Sequence, residues 1–292
     1  MTAPMLTSIG TNLITHPVTM PVVVPAIMAL IIILLAVVLW SVKRRREPDL
    51  HIKHDGTFEE ALRSITGLTF GDCSEGNELK ILHYGEGFFP ALLEAIEGAK
   101  KSIHFETFLW KEGKISDQIT KALAAASRRD VKVRMLLDGQ GGKITKDQKK
   151  KLAEAGARVE FFHPWRISNL GRMNNRDHRK IVIIDGKTAF VGGHCIVDTW
   201  LGHGQDKKHF SDISVRLRGP AVHEVQSTFS ENWVEETGDV FVGEEYFPEL
   251  NKHGDCKVHA ARITTVGSSS SVKLLHYLVI ECAKESIRIQ NP

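Results

Sequence analysis

The sequence predicts an α/β protein: a lobe built on a mixed, largely parallel sheet flanked by helices, preceded by one transmembrane helix. Three observations predict it. Residues 22–40 carry no charge; from Lys80 onward helical and strand-like periodicities alternate; and residues 180–191 read as a β-hairpin turning at Asp185-Gly186. The 292 residues are 42% hydrophobic, which is enough to bury a core and excludes a disordered chain. Net charge is only +3, so the placement of base matters more than its total. Base concentrates at Lys43-Arg44-Arg45-Arg46 and in the lysine-rich stretch 143–151. The second reads as a solvated helix face that can also meet an anionic surface.

Residues 22–41 form the expected transmembrane helix, after an extracytoplasmic tail at 1–21. At about 1.5 Å per residue the uncharged run spans roughly the 30 Å of a bilayer core, with Pro25 near its start and Trp40 at the interface. No basic residue precedes the run and no small-residue cleavage site follows it, which argues against a cleaved signal. The flanking cations all follow the run, so the positive-inside bias puts everything after Ser41 in the cytoplasm. Residues 42–79 read as a polar juxtamembrane segment.

The lobe occupies 80–262. Residues 88–101 repeat apolar positions at helical spacing (Phe89, Leu92, Leu93, Ile96), and 102–110 read as a strand. An alanine-rich helix at 115–129 leads to a strand at 131–137 that ends at Asp138; a helix at 146–155 leads to a strand at 158–162. This β-α-β-α rhythm implies parallel strands with helices on both faces. In such sheets ligands gather beyond the carboxyl ends of strands, where Glu106 and Asp138 fall. The rhythm then breaks: strand 180–184, the Asp185-Gly186 turn and strand 188–191 make a hairpin. Alternating strand 212–217 follows, Gly219-Pro220 stops it, and a helix covers 222–235.

The cysteines at 73, 195, 256 and 282 show neither a C-x-x-C pair nor a disulfide framework, so reduced thiols are expected. His194, His203 and His209 match no metal-ligand spacing. No metal and no cofactor are expected.

The chemistry gathers in "RDHRKIVIIDGKTAFVGGH", residues 176–194. Strand alternation puts His178 and Lys180 on one face and Arg179 on the other. An imidazole can attack phosphorus while an ammonium neutralises the non-bridging oxygens. Asp185, seven residues on, belongs to the opposite face and to the turn, a poor position for partnering His178. A polar strand entrance of no catalytic consequence has the same pattern, and these residues alone leave both readings open.

The motif His178-x-Lys180-x4-Asp185 followed by Gly192-Gly193 resembles the signature of the phospholipase D superfamily. The segments "FETFLWKEG", "VKVRMLLDGQGG", "NNRDHRKIVIIDGKTAFVGG", "DTWLG" and "DISVRLRGPAVHEVQSTFSENW" resemble its bacterial cardiolipin synthase branch. The resemblance implies a phospholipase D-like lobe, the first of two, in a single-pass protein of the bacterial inner (cell) membrane. It implies that His178 attacks phosphatidylglycerol to form a phosphatidyl-histidine and release glycerol, and that the other lobe's histidine acts as acid and then as base toward a second phosphatidylglycerol. By the same resemblance Lys180 holds phosphate oxygens, Asp212 orients His178, and Asp185 shapes the turn. Gly192 and Gly193 let backbone approach phosphate, and Cys195 stands where relatives carry an asparagine. Glu106, at its strand end, joins the substrate side. Anionic phospholipid and membrane are the expected partners, and nucleic acid is not, because the anchor sets the cleft beside lipid headgroups.

An internal echo lies at residues 279–290. "AIEGAKKSIHFE" at 95–106 overlays "VIECAKESIRIQ", with identity at Ile96/Ile280, Glu97/Glu281, Ala99/Ala283, Lys100/Lys284, Ser102/Ser286 and Ile103/Ile287. The expectation is that 263–292 begin a truncated second lobe, with Gly267-Ser268-Ser269-Ser270-Ser271 capping its helix. No second H-x-K-x4-D occurs. The chain is therefore expected to be half of a cardiolipin synthase. The alternatives are a homodimer pairing two His178 residues, a phospholipase D-type hydrolase, or an inactive membrane-bound remnant.

Overall fold

The computed structural model of the chain describes residues 20–43, 56–69, 71–166, 175–261 and 271–289, and divides it into two compact units, Met1–His51 and Ile52–Pro292. In the first, α1 (Met20–Lys43) contains Val22–Trp40, with mean hydropathy 3.3, long and apolar enough to cross a membrane. Its side chains are exposed throughout that stretch. The 1–19 tail and Arg44, Arg45 and Arg46 lie outside the described residues.

The second unit runs α2 (Phe58–Thr69), β1 (Cys73–His83), α3 (Tyr84–Gly98), β2 (Ser102–Thr107), α4 (Lys114–Ser127), β3 (Lys132–Asp138), α5 (Lys146–Glu154) and β4 (Arg158–Phe162). Then follow β5 (Ile181–Ile184), β6 (Thr188–Gly192), β7 (Ile213–Arg218), α6 (Val222–Thr237), β8 (Cys256–His259) and α7 (Ser271–Glu281). Eight strands form one sheet in the order β4-β3-β2-β5-β6-β7-β1-β8.

The sheet is mixed, as expected, but not largely parallel. Only β2–β3 and β3–β4 pair in parallel; β2–β5, β5–β6, β6–β7, β7–β1 and β1–β8 are antiparallel. The physical reason is connectivity. Parallel neighbours need a crossover, and helices supply one only between β2 and β3 and between β3 and β4. From β4 the chain returns to β5 with no helix among the described residues, and the tight turn at residues 185–187 then enforces antiparallel pairing of β5 with β6.

Strand alternation sends side chains into two cores. On one face Ile103, Phe105, Met135, Val182, Ile184 and Phe190 meet Phe88, Leu92 and Ile96 of α3 and Ile119 and Leu123 of α4. On the other, Leu136, Ile181, Ile183, Ala189 and Leu217 meet Val222, Val225, Phe229 and Trp233 of α6. Burying Ile181 and Val182 on opposite faces fixes the register of β5, because a one-residue slip would exchange the two cores. Helix ends are held locally: Thr145 and Gln148 form a reciprocal cap on α5, and the Asp198 carboxylate accepts from the first amides of α4.

α2 and most of β1 lie inside the segment 42–79, ahead of the first element read from the sequence. Strand 102–110 stops at Thr107, while Trp110 turns inward, fully buried, to bridge Gly142 and Ile196. The helical half of the echo is present as α7, which packs on α2. Its strand half is not: 286–289 have no partner strand among the described residues, and Ile287 and Ile289 are exposed. The serine run 267–270 lies outside the described residues.

Candidate active site

The extended residues 175–180 lead into β5 and carry the site. Arg176, His178 and Lys180 alternate onto one face, and Phe108, just past β2, supplies the floor beneath them. The His178 ring lies 4.5 Å from the Phe108 ring; the Arg176 guanidinium and the Lys180 ammonium each sit 5.4 Å from its centroid. Lys180 Nζ donates to the His178 carbonyl at 2.7 Å and lies 3.2 Å from His178 Nδ1. Sequence alternation brought these two together correctly.

Asp138, at the carboxyl end of β3, ties this segment down. Its Oδ1 accepts from the amides of Gln140 and Gly141 and from Arg176, and its Oδ2 accepts from the Asp177 amide at 3.0 Å. Arg176 also donates to Gln140 at 2.6 Å. On the opposite face Arg179 reaches α6, donating to the Thr228 carbonyl and to Glu231, both at 2.7 Å.

The His178 pKa is lowered, first by the loss of water around its partly covered ring and next by the Lys180 charge. Burial lowers Lys180 as well. Both shifts favour a neutral imidazole beside a cation that releases its proton more readily than a free lysine does.

The other predicted residues take different positions. Asp185, at φ 54°, stands at the far end of β5 from His178, and its carboxylate accepts from the amides of Lys100, Lys101 and Ser102. Asp212 accepts from the Trp200 indole at 3.0 Å and from the Ile213 amide at 2.8 Å, and no hydrogen bond joins it to His178. Gly192 and Gly193 are required by packing: a Cβ at Gly192 would lie 2.4 Å from Ser214 Cα, and one at Gly193 would lie 2.1 Å from Asp212 Oδ1. Cys195 is buried, its thiol pKa raised by that burial, with its sulfur 3.9 Å from the Gly193 carbonyl.

Glu106 corrects the expectation of a substrate contact. Its side chain is 0% exposed and its Oε1 accepts from Asn232 of α6 at 2.7 Å, so it lies behind the site rather than in it. The three histidines weighed as ligands are dispersed: His194 is buried against Phe88 and bonded to Ser214, His203 sits by Glu86, and His209 pairs with Asp206.

Arg176, Asp177, Arg179 and Phe108 were missed. The first was legible, since it shares the alternation of His178 and Lys180; Phe108 lies beyond its strand and carries no such signal. Arg176, His178, Lys180 and Gly192 line a cleft of about 870 Å³, whose wall continues over the apolar Ile181, Val191, Val215, Leu217 and Leu79 and over the polar Thr228, Glu231, Asn232 and Glu235 of α6. An imidazole and cations beside apolar strand surface suit an amphiphile bearing a phosphate.

A family model described as the phospholipase D-like domain of cardiolipin synthase matches residues 92–233. The major cardiolipin synthase ClsA of Bacillus subtilis is 33% identical over 226 residues, 75% of this chain and 46% of that protein. A cardiolipin synthase of Staphylococcus aureus is 30% identical over 239 residues, 80% of this chain and 48% of that protein. The chain thus spans about half the length of the curated relatives it matches. Among solved structures, the phospholipase D family member Nuc of Salmonella typhimurium aligns with 55% of this chain and 96% of its own, at 18% identity and a TM-score of 0.43.

Proposed function

We propose that the chain, which matches the phospholipase D-like domain of cardiolipin synthase through residues 92–233, is a phosphatidyltransferase of that family joining two phosphatidylglycerol molecules with release of glycerol. The observation that carries this reading is the pairing of Lys180 Nζ with His178 Nδ1 at 3.2 Å, in a cleft that also exposes apolar strand surface at Leu79, Val191 and Val215.

At rest Lys180 donates to Nδ1, which leaves the ring proton on Nε2. An entering phosphate draws the ammonium to its oxygens, the ring releases its Nε2 proton to solvent as Nδ1 takes one up, and the freed Nε2 lone pair attacks phosphorus. The P–N bond forms as the P–O bond to glycerol breaks, and the glycerol oxygen leaves with a proton from a second acid. A hydroxyl of the next phosphatidylglycerol then attacks phosphorus, the P–N bond breaks, and the hydroxyl proton passes to the base just generated. Asp212, whose charge acts on Lys180, is assigned to steady the Nδ1 proton once the ammonium has turned away.

The second acid is a second imidazole. His259 also lines the cleft, but Thr69 and the Asp72 carbonyl engage both its ring nitrogens. We therefore assign this role to a second copy of the chain or to a further lobe of which α7 is the first helix. α1 is read as the anchor, with the cleft on the cytoplasmic side.

The test is phosphatidyl transfer by the full chain in phosphatidylglycerol vesicles. His178→Ala should abolish both cardiolipin and an acid-labile, alkali-stable phosphorus adduct on the protein; cardiolipin formed at the wild-type rate would overturn the nucleophile. Phosphatidic acid as the main product would make water the acceptor and the protein a hydrolase.

A further inference from the structure

Behind His178, on the α6 side of the sheet, lie two buried carboxyl groups that the reaction above does not use. Glu106 projects from β2 and is 0% exposed; Asp177, the residue before His178, is 3% exposed. Each has one oxygen satisfied. Glu106 Oε1 accepts from Asn232 at 2.7 Å, and Asp177 Oδ1 accepts from the Arg179 amide at 3.0 Å. Each also has one oxygen, Glu106 Oε2 and Asp177 Oδ2, that is buried with no donor. Two such orphans in a well-formed interior call for an explanation, since native folds leave few buried polar atoms without a partner.

A single proton removes both. If one carboxyl is protonated it becomes a donor, the other remains an acceptor, and the two orphan oxygens satisfy each other. The carboxyls at this point are Asp138, Asp177 and Glu106, and the cations are Arg176, Lys180 and Arg179, with Arg179 shared with Glu231 of α6. The strand neighbours opposite Glu106 are Leu136 and Ile181, which offer neither charge nor donor. His104, two residues back on the same face, is bonded to Gln226, and burial pushes its pKa down to about 4, so it supplies no positive charge.

We propose that Glu106 keeps its proton at neutral pH and donates it to Asp177, and that this acid–carboxylate pair is a positioning device that holds the His178 backbone. The lever is short. Asp177 accepts from the amide of residue 179 and its own amide donates to Asp138, so both peptide neighbours of His178 are fixed through Asp177. Burial, reinforced by the Asp177 charge, raises the Glu106 pKa well above the usual carboxylate range; burial raises Asp177 too, and its bond from Glu106 works the other way. The asymmetry makes Glu106 the donor and Asp177 the carboxylate.

Fully ionised, the pair would place two like charges in contact without water, and the entrance to β5 would have to move. A displacement of about 1 Å in a reacting group costs on the order of 100-fold in rate. The positioning role rests on the phosphatidyl-transfer reading, whereas the shared proton does not.

The test compares Glu106→Gln and Glu106→Ala in the full chain in detergent micelles. Glutamine keeps a donor toward Asp177 and an acceptor for Asn232; alanine keeps neither. Transfer should survive in Glu106→Gln and fall on the order of 100-fold in kcat, with little change in KM, in Glu106→Ala. The independent arm is stability against pH. A carboxyl whose folded pKa is raised contributes most below its unfolded pKa, and that contribution is lost as pH rises toward the folded value. Wild type should therefore lose stability relative to Glu106→Gln as pH rises above about 4.5. The opposite slope, with wild type gaining on the glutamine variant, would show an ionised Glu106 and overturn the proposal. Equal loss of transfer in both variants with the predicted slope intact would leave the shared proton standing and overturn the positioning role. Should wild type transfer nothing, the slope alone still decides the proton.

Discussion

Asp185 shows what a motif aspartate does when it is too far away to touch the motif histidine. Its carboxylate sits at the tip of the β5–β6 hairpin and accepts from three consecutive amides, Lys100, Lys101 and Ser102, where α3 hands over to β2. Those amides have left α3 and, apart from Ser102, have not entered the sheet, so the carboxylate is their acceptor. Hydrogen bonds to a charged group are worth about 1.5–3 kcal/mol each, but they share one carboxylate and one partly exposed site. Asp185→Ala should therefore lower unfolding stability by about 2–4 kcal/mol while leaving the Lys180–His178 pair in place. Chemical denaturation checks the first and the KM of any transfer activity the second; an unchanged midpoint would deny the carboxylate its anchoring role. The sequence placed Asp185 at the turn and away from His178 by counting alternation alone. It could not show which amides wait there, because Lys100 and Asp185 meet only once β2 and β5 have paired. Glu106 failed for a related reason. The rule that ligands gather at the ends of parallel strands pointed to it, but β2 pairs antiparallel with β5 on one side, and α6 closes over that face.

At the scale of elements, α6 decides which side of the sheet is closed. Phe229 is 0% exposed, stacked on His104 at 5.0 Å and near Trp233 at 5.7 Å, and it joins Ile181, Ile183 and Leu217 in one core. Phe229→Ala should cost about 3–5 kcal/mol, as large-to-small changes in a tight aromatic core do. Ile280→Ala on α7, where the side chain is 48% exposed, should change stability by under about 0.5 kcal/mol. Denaturant midpoints of the two variants test the contrast, and equal losses would mean that α7 is as deeply built into the fold as α6. Helices α3 to α6 and strands β2 to β7 were legible because their apolar periods are strong: Leu92 and Ile96 on one helix face, Ile181 to Ile184 filling both faces of a central strand. The elements that escaped were β1, α2 and β8. β1 opens with Cys73-Ser74-Glu75-Gly76-Asn77, polar residues with no period, and only its partners β7 and β8 make it a strand. The parallel prediction gave the β2-α4-β3-α5-β4 rhythm too much weight: β5, β6 and β7 follow one another without an α-helix, and β1 and β8 join the far edge antiparallel.

For the whole molecule, the arrangement of charge about α1 bears on which side of a membrane the unit Ile52–Pro292 would occupy. Val22–Trp40 has a mean hydropathy of 3.3, and its 19 residues at about 1.5 Å each match the hydrocarbon thickness. Lys43 and Arg44 to Arg46 follow it directly, and no Lys or Arg precedes it. Cations near a helix end resist translocation and are drawn to the anionic cytoplasmic leaflet by about 1 kcal/mol each. Four of them on one side and none on the other give a bias of several kcal/mol, large against thermal energy, for keeping Ile52–Pro292 in the cytoplasm. This predicts that Thr7→Cys reacts with a membrane-impermeant maleimide in intact cells, whereas Lys143→Cys, exposed on the catalytic unit, reacts only after lysis. Native Cys73, Cys195, Cys256 and Cys282 lie in that same unit and give the background for the second measurement. Neutralising Lys43, Arg44, Arg45 and Arg46 together should bring part of the Lys143→Cys population into the reactive class without lysis. Labelling of Lys143→Cys in intact cells with all four cations present would reverse the orientation.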